Sequence, residues 1–295
     1  MSFELVNKYA KHVDELFVAE SKKELLTNTD FDWSGAHTVV VWKVNTVGMN
    51  DYARNVYGDE EPEHSAVKIS RFGELHDLSR QTEEMLLKKD RSFIFNIDKL
   101  DKDETSNAVE EASALARQIR EVVIPEVDKY TYGVMAEGAG AKAEVTPLTV
   151  ENIYDSILAG SEFMDDQEVP ETERVLVVTP ATYTILKQAV VFDHTDVGEE
   201  LKLNGVLGYI DGMKVVKVPS NRLPEGFGFM IAHPSATVAP VKLEDYGIHR
   251  DTPISSGTIV TGRVVYDAFV LENKKYGIYY HPIAEKVEEQ KDQQE

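Results

Sequence analysis

The chain has 295 residues, with 31 lysines and arginines against 52 aspartates and glutamates, a net charge of −21 at pH 7. A charge of that sign argues against general affinity for phosphate backbones, and so against a free-standing DNA- or RNA-binding role. Zero cysteine excludes disulfides, iron–sulfur clusters, thiolate zinc sites and cysteine nucleophiles, while 42% hydrophobic and 28% charged residues describe a folded chain of one large domain or two ordinary ones.

The opening residues lack the basic region and apolar core of a signal peptide, and nowhere do 18 apolar residues run together. The expectation is a protein cytosolic where it is made, with no membrane span. Val6, Tyr9, Ala10, Val13, Leu16 and Phe17 recur at helical spacing, which predicts an amphipathic N-terminal helix ending near residues 28–30. A bundle helix would carry the same stripe. Residues 38–47 and 66–72 read as strands around a polar, turn-rich stretch at 48–65. Two extended arms with little core of their own are marginal in water, and about twenty residues of strand reach roughly 65 Å. Such an arm fits a neighbouring subunit; ordinary strands in a sheet of the same domain remain the alternative.

Residues 92–97 predict a short apolar strand. A helix follows, capped by Asp103, with Ala108, Ala112, Leu115, Ala116, Ile119, Val122 and Val123 along one face. Pro125 has no amide to donate, so the helix kinks there or restarts with Pro125 in its first turn, then runs to the glycine-rich stop at 137–140. Beyond it the pattern is mixed α/β. A helix is expected at 150–160, an acidic loop at 165–173, and a strand at 174–179 apolar enough to be covered on both faces. Pro180 turns into a helix at 181–189. Strands follow at 206–210, 213–218 and 227–232, the first two joined by the hairpin signal Asp211-Gly212, and two long ones at 257–271 and 275–281. The charged end, 284–295, is expected to fray.

Chemistry-bearing motifs are scarce. There is no phosphate-cradling Gly-Lys pair, no Gly-x-Ser-x-Gly elbow and no His-Glu-x-x-His, and Gly138-Ala-Gly140 lacks the third glycine of a dinucleotide fingerprint. The nearest thing to a site is Asp193-His-Thr-Asp196, short of the oxygens a hard cation needs. Glu60-Glu61 and Asp165-Asp166 are adjacent carboxylates of the kind a strongly acidic chain contains by chance. No catalytic residue, cofactor or metal ligand set is assigned, and an enzyme is not expected.

The segment Arg91-Ser-Phe-Ile-Phe-Asn-Ile-Asp-Lys-Leu-Asp-Lys-Asp-Glu-Thr105 followed by Val123-Ile-Pro-Glu-Val-Asp-Lys-Tyr130 resembles the major capsid proteins of tailed double-stranded DNA phages. Arg174-Val-Leu-Val-Val-Thr-Pro-Ala-Thr-Tyr183, Gly208-Tyr-Ile-Asp-Gly-Met-Lys-Val-Val-Lys-Val-Pro219 and Gly262-Arg-Val-Val-Tyr-Asp-Ala-Phe-Val-Leu271 resemble later landmarks of that family in the same order. The resemblance spans residues 1–283 and implies an α+β Hong Kong 97-like capsid fold. It would place an N-terminal arm at 1–34, an extended loop (E-loop) at 35–91, and a peripheral domain at 92–144 and 252–283 with its spine helix at about 103–137. An axial domain would occupy 145–251 and a flexible acidic tail 284–295.

The function so implied is structural: self-assembly into an icosahedral shell that encloses phage DNA. Partners would be the chain itself in hexamers and pentamers, scaffold, portal and decoration proteins, and packaged DNA without sequence-specific contact. Location would be the virion capsid, and the host cytoplasm during assembly. Trp42, Val44, Val67, Ile69 and Phe72 are the expected E-loop contacts to a neighbour, and Tyr9, Val13 and Phe17 those of the arm. Arg54, Lys68 and Arg71 are candidates to pair with Glu110 and Glu121 of a neighbour's spine region. Three other readings stay open: an encapsulin-like nanocompartment shell, a soluble metal-dependent α/β enzyme using the 193–196 loop, and a phage tail or adaptor protein that would form rings or tubes.

Overall fold

The computed structural model describes residues 21–28, 38–44, 46–52, 72, 80–98, 111–192, 208–250 and 256–283. Contacts divide the chain into two units, residues 35–87 and the remainder. The predicted helix at the N-terminus, the strand residues 66–71, the Asp103 cap and the 193–196 loop lie outside the described residues.

Within residues 35–87, the β-branched run of β1 (Thr38–Val44) pairs antiparallel with β2 (Arg80–Leu86), Thr38 opposite Leu86 and Val44 opposite Arg80. Strand residues point alternately to two faces, so Val39, Val41 and Lys43 share one with Glu83 and Met85. Lys43 and Glu83 form an ion pair of 3.0 Å on that half-buried face. The opposite face exposes Val40, Thr82, Glu84 and Leu86. The sequence reading had no strand at 80–86, because its only apolar residues, Met85 and Leu86, are adjacent at its end and give no alternating period; Phe72 lies in a turn.

The second unit holds two sheets. In the first, β3 (Lys89–Asp98) pairs antiparallel with β11 (Gly257–Tyr266), which pairs in turn with β10 (Val241–Arg250). A long helix lies against this sheet: α1 (Glu111–Gln118), a π-turn at Ile119–Val123, and α2 (Ile124–Glu137). The π-turn ends two residues before Pro125, so the carbonyl four residues back, that of Glu121, lies within it. A proline ring would clash with the carbonyl four residues back in a regular helix; the wider turn relieves that clash and lets the helix continue rather than stop. Val127 then packs on Val264 and Tyr266, joined by Val123, Tyr130 and Tyr246.

The second sheet has six strands in the order β4-β13-β8-β5-β7-β6: β4 (Ala141–Lys142), β5 (Val175–Val178), β6 (Tyr209–Ile210), β7 (Met213–Lys217), β8 (Phe227–Ala232) and β13 (Ile278–Pro282). All four residues of β5 are buried, as its unbroken apolar run predicts, because each face is covered. Val175 and Val177 meet Tyr132, Met135 and Ala136 of α2, while Leu176 and Val178 meet α3 (Ile153–Asp166) and α4 (Pro180–Phe192) through Ile153, Ile157, Met164 and Leu186. At about 1.5–3 kcal/mol per fully buried aliphatic side chain, these four residues alone stabilise the layer by several kcal/mol. Asp211 and Gly212 join β6 to β7 with φ of 48° and 72°, the positive values a tight hairpin turn requires. Gly228 is the extra residue of a bulge opposite His281 and Pro282; a Cβ there would meet the His281 carbonyl oxygen at 2.5 Å.

Several expectations are corrected. The helix expected at 150–160 runs Ile153–Asp166, so the acidic loop is shorter, and it folds onto the buried Arg174, whose guanidinium bonds Val169 O, Pro170 O and Asp165. The strand expected at 257–271 breaks after Tyr266 and resumes as β12 (Phe269–Val270), which pairs with β9 (Thr237–Val238). Residues 275–277 belong to a 3₁₀ turn, Glu272–Gly277, ahead of β13. β10 and β11 form one long hairpin, so both lie in the three-stranded sheet, and β13 lies in the six-stranded sheet between β4 and β8.

Candidate functional site

Unit 35–87 concentrates exposed apolar side chains: Val40, Val47, Met49, Tyr52, Phe72 and Leu86. Met49 is fully exposed and Phe72 is 76% exposed. Phe72 meets Tyr52 edge to face with ring centroids 5.2 Å apart, and its carbonyl accepts from Asn50 Nδ2 at 3.3 Å. Two aromatic rings held together in water lose most of the area that makes such a pair favourable, so this cluster gains by being covered.

Of the residues singled out from sequence, Phe72 is thus an exposed member of a patch. Trp42 and Val44 are strand residues of β1, opposite Thr82 and Arg80. Glu121 lies in the π-turn with its side chain only 17% exposed, 4.0 Å from Arg120, and its Oε1 buried without a hydrogen bond. Tyr9, Val13, Phe17, Arg54, Val67, Lys68, Ile69, Arg71 and Glu110 lie outside the described residues. Sequence reading missed Val40, Met49, Tyr52 and Leu86. The first and last sit on a strand face that β1–β2 pairing alone defines, and the other two fall in a polar stretch with no apolar period.

In the second unit, a groove runs between α2 and β3, lined by Lys89, Arg91, Glu126, Lys129, Tyr130 and Tyr266. Arg91 Nε donates to Glu126 Oε1 at 2.8 Å, the Tyr266 hydroxyl donates to the same oxygen at 3.2 Å, and Lys89 Nζ lies 4.9 Å from the centre of the Tyr130 ring. Arg263 grips Asp90 through Nε and Nη2 at 2.9 and 2.6 Å, and that guanidinium holds the exposed Asp90 carboxyl below its ordinary range. Among the described residues no three His, Asp or Glu side chains converge as metal ligands.

Two buried histidines make stability depend on pH. His281 stacks on Phe229 with centroids 4.9 Å apart, its Nε2 lies 3.2 Å from Thr146 Oγ1, and its Nδ1 is buried without a hydrogen-bond partner among the described residues. His233 accepts the Ser235 amide hydrogen on Nδ1 at the start of the Pro234–Ala236 turn. Burial depresses both below the usual 6.5. The folded chain protonates both rings at lower pH than the unfolded chain, which does so near 6.5, so their contribution is complete above that pH and is lost as pH falls below it. The urea midpoint is therefore expected to drop between about pH 7.5 and about pH 5.5, and to drop less in His281→Gln. An equal drop in wild type and variant would remove His281 from the account.

A family model described as phage capsid protein matches residues 80–280. Comparison with curated proteins finds no match. Among solved structures, one from Mycobacterium phage Che8 superposes with a TM-score of 0.77 at 18% identity, covering 94% of this chain and 96% of that one. The capsid structure of cyanophage P-SCSP1u gives 0.69 at 13% identity, covering 95% and 93%. The capsid of the Myoviridae phage XM1 gives 0.60 at 12%, covering 96% and 99%. At these identities the likeness establishes the fold, an α+β architecture of the Hong Kong 97-like kind.

Proposed function

Because the chain belongs to the phage capsid protein family, we propose that it is the major capsid protein of a tailed double-stranded DNA phage, and that its copies close an icosahedral shell through the ribbon formed by residues 35–87. The observation that carries the ribbon's role is its exposed apolar cluster around Met49, Tyr52 and Phe72, in a unit whose described residues bury only Met85 and Leu87. Burying such a cluster against an adjoining copy recovers roughly 25 cal/mol per Å² of apolar area removed from water. The residues Trp42, Val44, Val67 and Ile69, and the arm residues Tyr9, Val13 and Phe17, belong to the same proposal as contact residues. Arg54, Lys68 and Arg71 are proposed to pair with a neighbour's Glu110 and Glu121.

Packing into hexamers and pentamers, assembly in the host cytoplasm with scaffold and portal, and enclosure of DNA without base-specific contact complete this reading. With a net charge of −21 on each whole copy, an acidic inner surface would keep packaged DNA from sticking. The same charge opposes assembly, since identical copies repel. Raising salt shortens the Debye length to about 8 Å near physiological ionic strength, and particle yield is expected to rise with it. Negative-stain microscopy and sedimentation of the purified chain across that range check both points. Closed particles that increase with salt support the reading; a monomer at every ionic strength would overturn it.

A further inference from the structure

Asp267 lies directly after β11 and is 3% exposed, yet among the described residues the groups that hold its carboxylate are neutral. Its Oδ2 accepts the backbone N–H of Lys88 at 2.8 Å. Its Oδ1 accepts the Ala268 N–H at 2.8 Å and the Tyr130 hydroxyl at 2.8 Å. Lys88 is the first residue of the second unit after the ribbon, and Tyr130 sits on α2 with its ring edge-on to Tyr266, centroids 5.7 Å apart. Burial, with Asp267 beside it, raises the Tyr130 hydroxyl above its ordinary range, so it stays protonated and donating.

We propose that Asp267 is a positioning residue that ties Lys88, where the chain leaves residues 35–87 and enters the second unit, to the long helix through Tyr130, and that shell assembly depends on this tie. This rests on the capsid reading, because only a chain that builds shells has an assembly for the tie to serve. The chemistry asks for a carboxylate. Donors arrive at both oxygens, and an asparagine would turn an NH₂ toward one of them, leaving either Lys88 or the Tyr130–Ala268 side facing donor to donor. Groups left unmatched in this way are costly when buried, which makes the node all-or-none.

The test uses the full chain as wild type, Asp267→Asn and Tyr130→Phe, reading amide hydrogen exchange at Lys88 against Met230 in the core of β8, together with shell yield at fixed concentration. Lys88 is expected to exchange roughly ten- to a hundredfold faster in both variants with Met230 unchanged, and shell yield is expected to fall. Should Asp267→Asn fail to fold, Tyr130→Phe decides alone, since it keeps the ring and removes only the hydroxyl. Unchanged Lys88 exchange would overturn the anchor. Faster Lys88 exchange with wild-type shell yield would overturn its role in positioning. If wild type itself forms no shells, the capsid reading fails, while Lys88 exchange still supports or overturns the tie to Tyr130.

Discussion

Replacing Arg222 with leucine is expected to destabilise the folded chain by about 3–5 kcal/mol, read as a lower urea midpoint, because it strands a carboxylate in the core. Arg222, 3% exposed in the Ser220–Arg222 turn, donates from Nη1 to Asp128 Oδ2 at 2.8 Å; Asp128, on α2, is 1% exposed. The second oxygen of Asp128 accepts from Ser21 Oγ at 2.7 Å, so the pair joins residue 21, the long helix and the turn between β7 and β8 at one point. It lies beside the apolar cluster of Leu26, Tyr132, Val218 and Leu223. Water cannot reach an orphaned Asp128 there. The double variant Asp128→Leu with Arg222→Leu removes both charges and is expected to recover most of the loss, because well-packed apolar pairs often replace buried ion pairs at little cost. Equal instability of single and double variants would show that packing around Arg222, rather than its charge, is what matters.

Deleting residues 48–65 is expected to abolish shells while leaving the body folded. The deletion removes Met49 and Tyr52 and strips Phe72 of its ring partner, but none of the residues that build the six-stranded sheet. Circular dichroism and the melting midpoint are expected to stay near wild type, whereas sedimentation should show monomers where the wild-type chain forms particles. The contrast with Arg222→Leu is diagnostic: that variant loses stability, and this one loses assembly with stability intact. Normal particles from the deleted chain would end the ribbon's role.

How much of this was legible from the amino acids differs from element to element. β8 was predicted at Phe227–Ala232 to the residue, because its apolar run stands between Gly226 and His233-Pro234. The β6–β7 turn was equally plain in Asp211-Gly212. By contrast β2 and β10 went unread. Their sequences mix charges into both faces, and what makes them strands is a partner: β1 for the one, β11 for the other. The helix through Pro125 was half legible. The missing amide was evident, but the choice between a kink, a restart and a π-turn depended on how Val123, Val127 and Tyr130 had to meet Val264 and Tyr266.

The candidate patch follows the same division. Phe72 was named from its strand-like setting, while Tyr52, which gives that ring its partner, carries no local signal. Composition, charge, the family-bearing strings and each turn signal were determined by the amino acids alone, because propensity and apolar period act over a few neighbouring residues. Tertiary structure alone decided the pairings of Asp128 with Arg222, Tyr130 with Asp267 and Lys88 with Asp267, across 94, 137 and 179 residues of chain. At those separations a contact is chosen by which layers pack together, and no stretch of sequence holds both halves of it.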